Sequence, residues 1–241
     1  MLLSTSVARA DALRELSTDR PDTTESPYTI NAGHVQIESD LVTTAFDSTH
    51  RETSLMTLNL KLGITNRVDL QLMLDPYHRV KTDVMSRSGF GDTAIRAKIN
   101  LWGNNGGGTA ACVMPFVGLP TGVSGISAGG VEGGLIFVLG SPAPLGFDVA
   151  MMLEADIVRS DDKSAKAAGI VTGTAGHEIV GALSGFGEVA FPIDVDGGIA
   201  PEIHGGFTYG IGSNMQLDAG VNVGLTGDHT INPFIGAAIR R

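Results

Sequence analysis

Residues 214–226, NMQLDAGVNVGLT, separate into two faces when every second residue is read. Met215, Leu217, Ala219, Val221, Val223 and Leu225 fall on one side, and Gln216, Asp218, Gly220, Asn222 and Gly224 on the other. A period of two, bounded by Gly-Ser-Asn before and Thr-Gly-Asp after, is the pattern of a strand and not of a helix. Strands of soluble domains more often stop at about five or six residues. About ten are what a tilted strand needs to cross a bilayer.

The same alternation recurs outward from this stretch. Residues 33–45 set Val35, Ile37 and Leu41 against Gln36, Glu38 and Asp40; 53–62 set Met56, Leu58, Leu60 and Leu62 against Thr57, Asn59 and Lys61. Residues 67–75 oppose Val68, Leu70, Leu72 and Leu74 to Asp69 and Gln71, and 90–102 oppose Ile95, Ala97, Ile99 and Leu101 to Arg96, Lys98 and Asn100. Further strands are expected at 109–119, 131–139, 146–156, 166–176, 183–193, 198–209 and 231–240, with 166–176, a run of Gly, Ala and Thr, showing no clear face. The set comes to about twelve, an even number, as in bacterial single-chain membrane barrels. Short turns alternate with longer polar connections, expected over 75–89, 120–130 and 158–165, through most of the chain. In an outer-membrane barrel the short ones are periplasmic and the long ones outward.

Length and composition narrow the choice. The chain has 241 residues, 33 of them Gly, a net charge of −10 and 5% aromatics. No run reaches the roughly 18 apolar residues of a membrane helix, whereas the diluted hydropathy of an alternating barrel is allowed. The acidic balance argues against a nucleic-acid partner, which rewards clustered Lys and Arg. Cys112 stands alone, so no intramolecular disulfide forms. Six scattered His residues show no HxxxH or HExxH spacing, and neither a metal site nor a cofactor is expected. A Ser-His pair on adjacent strands, Ser184 with His204, is the one arrangement that suggests catalysis, but both face the interior and no catalytic residue is assigned.

The apolar faces decide between oil and water. About eight strands already make an interior that side chains just fill, so twelve with Leu and Val inside would leave a void. The expected fold is therefore all-β: a closed antiparallel up-and-down transmembrane β-barrel spanning 33–241, apolar side out. A two-sheet soluble sandwich that binds a ligand is the competing architecture. Pro115 and Pro192 cannot donate to a ladder and are expected at the outer rim. Residues 1–10, ending Ala8-Arg9-Ala10, read either as the remnant of an export signal or as a short helix. Residues 11–32 are an aperiodic arm broken by Pro21 and Pro27.

Several segments resemble a known family. They are Thr18-Asp19-Arg20-Pro21-Asp22, Gly33-His34-Val35-Gln36-Ile37-Glu38, Gly89-Phe90-Gly91-Asp92, Leu119-Pro120-Thr121-Gly122 and Gln216-Leu217-Asp218-Ala219-Gly220-Val221-Asn222. From about Ser17 onward the chain is similar to the MetA-pathway of phenol degradation family of outer-membrane transporters. The resemblance implies a Gram-negative outer-membrane barrel passing small molecules, aromatic or hydrophobic compounds among them. Its implied partners are outer-membrane lipid, the solute and the barrel assembly machinery. The family's barrels usually end in an aromatic residue, where this chain reads Ile239-Arg240-Arg241.

The lumen charges are the functional candidates: Glu38, Lys61, Asp69, Arg96, Lys98, Glu154, Glu188, Glu202, His204 and Asp218. The bland reading is that they pair with one another and fill the barrel. The sharper one is that the arm carrying Asp19, Arg20 and Asp22 folds inside as a partial plug, with Arg20 meeting Glu38 or Glu188. A small-molecule channel is the leading functional reading. The alternative is a structural or interaction barrel with a filled lumen and no transport.

Overall fold

A computed structural model describes residues 13–160, 164–227 and 229–241. The proposed export-signal remnant at 1–10 lies outside the described residues. The strands, in chain order, are β1 (Val35–Phe46), β2 (His50–Thr65), β3 (Val68–Leu74), β4 (Tyr77–Thr82), β5 (Ser86–Gly89), β6 (Thr93–Trp102) and β7 (Ala110–Leu119). They continue as β8 (Glu132–Pro142), β9 (Phe147–Arg159), β10 (Ala165–Val180), β11 (Leu183–Ile193), β12 (Glu202–Ile211), β13 (Met215–Gly224) and β14 (Ile231–Arg240).

Twelve of them close into an antiparallel barrel. Neighbours in sequence pair from β6 round to β14, β14 pairs with β1, β1 with β2, β2 with β3, and β3 with β6. The other two, β4 and β5, form a hairpin that continues the β3–β6 hairpin upward along the outer half of β2. The break falls where Pro76 offers no N–H to a ladder, and the Gly91 N–H donates to the Asp75 carbonyl across it. The long polar connection expected over 75–89 is thus mostly strand. Apart from Tyr77 and Val80 both faces of its strands are polar, with Arg79, Lys81, Ser86 and Ser88 on one and His78, Thr82 and Arg87 on the other, which hides a period of two.

Burial is inverted relative to a soluble protein. Lys98 and Gln36 are 0% exposed and Asp69 1%, whereas Leu153 is 47% exposed, Ile235 55% and Phe207 58%. Apolar side chains facing out around the whole circumference require a lipid environment, so the sandwich alternative is set aside. Two local expectations are corrected. A β-bulge between Asp40 and Val42 opposite β14 hands the outward position from Leu41 to Val42. Pro115 lies in the middle of β7, not at the rim. The β6–β7 ladder is interrupted there, between Arg96↔Phe116 and Ile99↔Val113, so the missing N–H leaves no partner stranded. Pro192 does lie near the long-connection rim, its carbonyl accepting from the Ala200 N–H at 3.0 Å.

The interior has two unlike walls. Gln36, Glu38, Lys61, Asp69, Gln71, Arg96, Lys98, Glu188, His204 and Asp218 make most of it polar and buried. Across β7, β8 and β9 it is apolar instead: Cys112, Met114, Ile136, Val138 and Met152 pack together, with Phe116 and Ile170 against them. A uniformly polar lumen, expected from the other strands, does not hold here. The β7 and β8 sequences are apolar on both faces, and alternation says nothing when both faces match.

Candidate functional site

The arm is the site's central element. It enters at the short-turn rim, where the Arg14 guanidinium donates to the carbonyls of Thr29 (2.9 Å) and Asn66 (3.1 Å). It climbs past Gln36, whose amide donates to the Ser17 carbonyl at 2.8 Å, and turns over residues 20–25, the Arg20–Pro21 bond being cis. Going back down, the carbonyls of Ser26 and Pro27 accept from Lys98 (2.7 Å) and Asn100 (2.9 Å). The Thr29 and Ile30 N–H groups donate to Asn104 (2.9 Å) and Asp69 (3.2 Å). The Gly33 N–H donates to the Gly63 carbonyl at 2.8 Å, and β1 begins. An extended segment leaves its backbone donors and acceptors unpaired; here the barrel wall supplies the partners.

Charge holds the turn in place. The Asp19 carboxylate lies between the ammonium groups of Lys61, at 2.5 Å, and Lys98. Lys61 also pairs with Glu38, which accepts the Asp19 N–H at 3.0 Å. Arg20 bridges Asp40 (2.5 Å) and Asp218 (2.7 Å), and Glu25 pairs with Arg96 at 2.5 Å. Glu188 accepts the N–H groups of Thr23 (2.8 Å) and Thr24 (2.7 Å). Glu188 also meets His204 Nδ1 at 2.6 Å, while Glu202 meets Nε2 at 2.8 Å. The two carboxyl groups thus bracket the imidazole, one at each ring nitrogen. A buried charge without a partner is costly; Asp19, Arg20 and Glu25 each meet wall charges of opposite sign.

The candidates read from sequence are thus brought to one place, with one exception. Glu154 stands on the inward row of β9, between Ile136 and Ile170 on the neighbouring strands, and is in no ion pair among the described residues. Asp22 lies at the top of the turn. Arg20 meets neither Glu38 nor Glu188, which are occupied by Asp19 with Lys61 and by the threonines. Asp40, inward beside the bulge, takes their place. Ser184 and His204 are not paired: Ser184 lies opposite Thr208, and His204 opposite Glu188. Sequence reasoning missed Glu25 and Asp40, although Asp40 shares the inward parity of Glu38.

Two wall glycines make room for the arm. A Cβ at Gly236 would run into the Arg20 guanidinium, and one at Gly140 would meet the Pro27 ring at 3.0 Å. Each marks a close approach of the arm to the strand backbone.

Two cavities flank the turn. One of about 510 Å³ faces the long-connection rim and is lined by Asp40, Asp75, Asp92 and Met73 with the turn itself. The other, about 730 Å³, opens toward the short turns between Tyr28, Asn104, Asp148, Phe186 and Arg240. Asp22 and Glu25 border both.

A family model described as "Putative MetA-pathway of phenol degradation" matches residues 18–238. No curated protein matches the sequence. Among solved structures, the COG4313 outer membrane channel from Pseudomonas putida F1 superposes with a TM-score of 0.63 at 14% identity, over 93% of this chain and 100% of that one. The KdgM porin gives 0.54 at 11% identity, over 85% and 98%. The translocator domain of the autotransporter NalP from Neisseria meningitidis gives 0.53 at 11% identity, over 87% and 88%. These likenesses concern the fold.

Proposed function

Since the chain belongs to the MetA-pathway of phenol degradation family, we propose that it is an outer-membrane channel for small molecules in which the arm is the gate. The observation that carries this reading is the pair of cavities on either side of one segment. A solute entering from the long-connection side meets the turn at residues 20–25, and displacing that turn would join the two spaces. The arm's direct polar ties go to β1–β3, β6 and β10–β14. Toward β7–β9 it faces the apolar wall, where the Cys112 thiol meets the Ser26 carbonyl at 3.7 Å. Release on that side costs few hydrogen bonds and uncovers an apolar surface, which suits solutes with a hydrophobic face.

Planar-bilayer recording tests the gate. Deleting residues 17–27 is expected to raise single-channel conductance by about tenfold or more, since flow through a pore follows its narrowest section. Conductance unchanged by the deletion would refute the gate. The second reading, a filled and silent barrel, draws on the density of ion pairs around Asp19 and Arg20. It predicts a parent protein that never opens and does not respond to phenols or aromatic acids.

A further inference from the structure

The outer surface changes character along β1, β2, β4 and β5. The outward row Val42, Leu55 and Tyr77 is apolar and exposed. Above it on the same face, the register sets Thr44, Thr53, Arg79 and Ser88 side by side, and then Phe46, Arg51, Lys81 and Ser86. Three exposed cations therefore share one small face of a chain whose net charge is −10. Arg51 stands directly opposite Lys81, a placement that destabilises a strand pair unless something answers the charge.

Among the described residues no carboxylate pairs with either residue. Glu52 points to the other side of the sheet, where it pairs with His50 at 3.2 Å. Among the described residues none of the three cations is in an ion pair. Arg79 reaches only the Ser86 hydroxyl, at 3.4 Å, and the Arg51 guanidinium lies over the Phe46 ring, 5.7 Å from its centroid. Guanidiniums, an ammonium and hydroxyls make a surface of donors, the chemistry that binds phosphate oxygens. It lies where the apolar belt ends on the long-connection side, at the level of lipid headgroups.

We propose that this face docks the phosphorylated headgroup of an outer-leaflet lipid. The phosphate sits at Arg51, Arg79 and Lys81, and the acyl chains run down over Val42, Leu55 and Tyr77. The cations alone would suit any anion; the apolar row directly beneath them selects a lipid. The site lies outside the lumen, so it stands or falls independently of the channel reading.

The test uses the full chain refolded in detergent, with bisphosphorylated lipid A, its dephosphorylated form and inorganic phosphate as probes. Binding is read by native mass spectrometry and by the unfolding midpoint. The bisphosphorylated lipid is expected to bind and raise the midpoint, the dephosphorylated form to bind about tenfold more weakly or worse, and phosphate to have no effect at the same concentration. The R51Q/R79Q/K81Q variant is expected to lose about a hundredfold in affinity, while R51K/R79K/K81R keeps it. Equal binding of the two lipid forms overturns the proposal, and so does undiminished binding by the glutamine variant. Displacement of the lipid by phosphate reduces the site to a simple anion site and rejects the lipid. Should the glutamine variant fail to show heat-modifiable migration, the comparison of probes on the parent protein still decides.

Discussion

Asp19 shows how a single carboxylate can hold the arm. It satisfies two buried ammonium groups at once, and Lys98 has no other carboxylate partner among the described residues. Removing one member of a buried ion pair typically costs about 3–5 kcal/mol. Here the arm can give way while the barrel stays closed. Cys112 reports the event, because its thiol is fully buried beneath the Ser26 carbonyl and is the chain's only one. Asp19→Ala is therefore expected to speed maleimide labelling of Cys112 in the folded protein by about a hundredfold, labelling of a buried group following the population of its open state. Gly236→Ala should act in the same direction by pushing Arg20 off its two carboxylates. Labelling as slow as in the parent in both variants would mean that these contacts do not hold the arm. Parity alone placed Glu38, Lys61, Asp69, Lys98 and Asp218 inside the barrel. The pairings were not legible, because an aperiodic segment such as 13–34 has no register from which its neighbours can be read.

Among the elements, legibility follows contrast between the two faces. β11 and β14 were delimited to the residue, because Val189 and Phe191 alternate with Glu188 and Ala190, and Pro233 and Ile235 with Phe234 and Gly236, between clear turn signals. β10, whose Gly, Ala and Thr gave no face, runs four residues further than expected, through to Val180, and its partners β9 and β11 supply the order it does not signal. The β4–β5 hairpin was missed for the reason given above, and its geometry makes it dispensable to closure. Because β3 pairs with β6 directly, through Met73↔Ala94, replacing residues 75–92 by Asn-Gly should leave a twelve-stranded barrel. The short type I′ turn that Asn-Gly favours suits the junction of two paired strands. Refolded protein should keep its β-sheet circular dichroism and heat-modifiable migration while losing lipid binding at Arg51, Arg79 and Lys81. Failure to fold would show that the hairpin takes part in closing the wall.

For the whole molecule, the decisive quantity is the charge left over in the lumen once the arm is in place. Lys61, Lys98 and Arg20 are each neutralised by carboxylates, and Arg96 by Glu25. Seven carboxylates and two guanidiniums line the outer cavity; with Asp19 and Glu38 answered by Lys61 and Lys98, a smaller negative excess remains at the entrance. A low-dielectric wall focuses that field along the axis. Any current the channel carries should therefore favour cations, seen as a reversal potential of cation-selective sign in a salt gradient, and the preference should shrink as ionic strength rises. The arm-deleted barrel separates wall from arm. Losing Asp19, Arg20, Asp22 and Glu25 takes away three negative charges and one positive; it leaves Lys98 and Arg96 without their carboxylates and Lys61 with Glu38 alone, while Asp40 and Asp218 lose Arg20. Its selectivity should move toward anions. The double variant Asp75→Asn, Asp92→Asn tests the rim, since both side chains line the cavity away from the arm's ion pairs. Asp92 should keep its acceptor role toward the Gly122 N–H, at 2.8 Å, as an asparagine. If that variant leaves the reversal potential of the intact channel untouched, the selectivity lies at the turn, with Asp22, and not at the entrance.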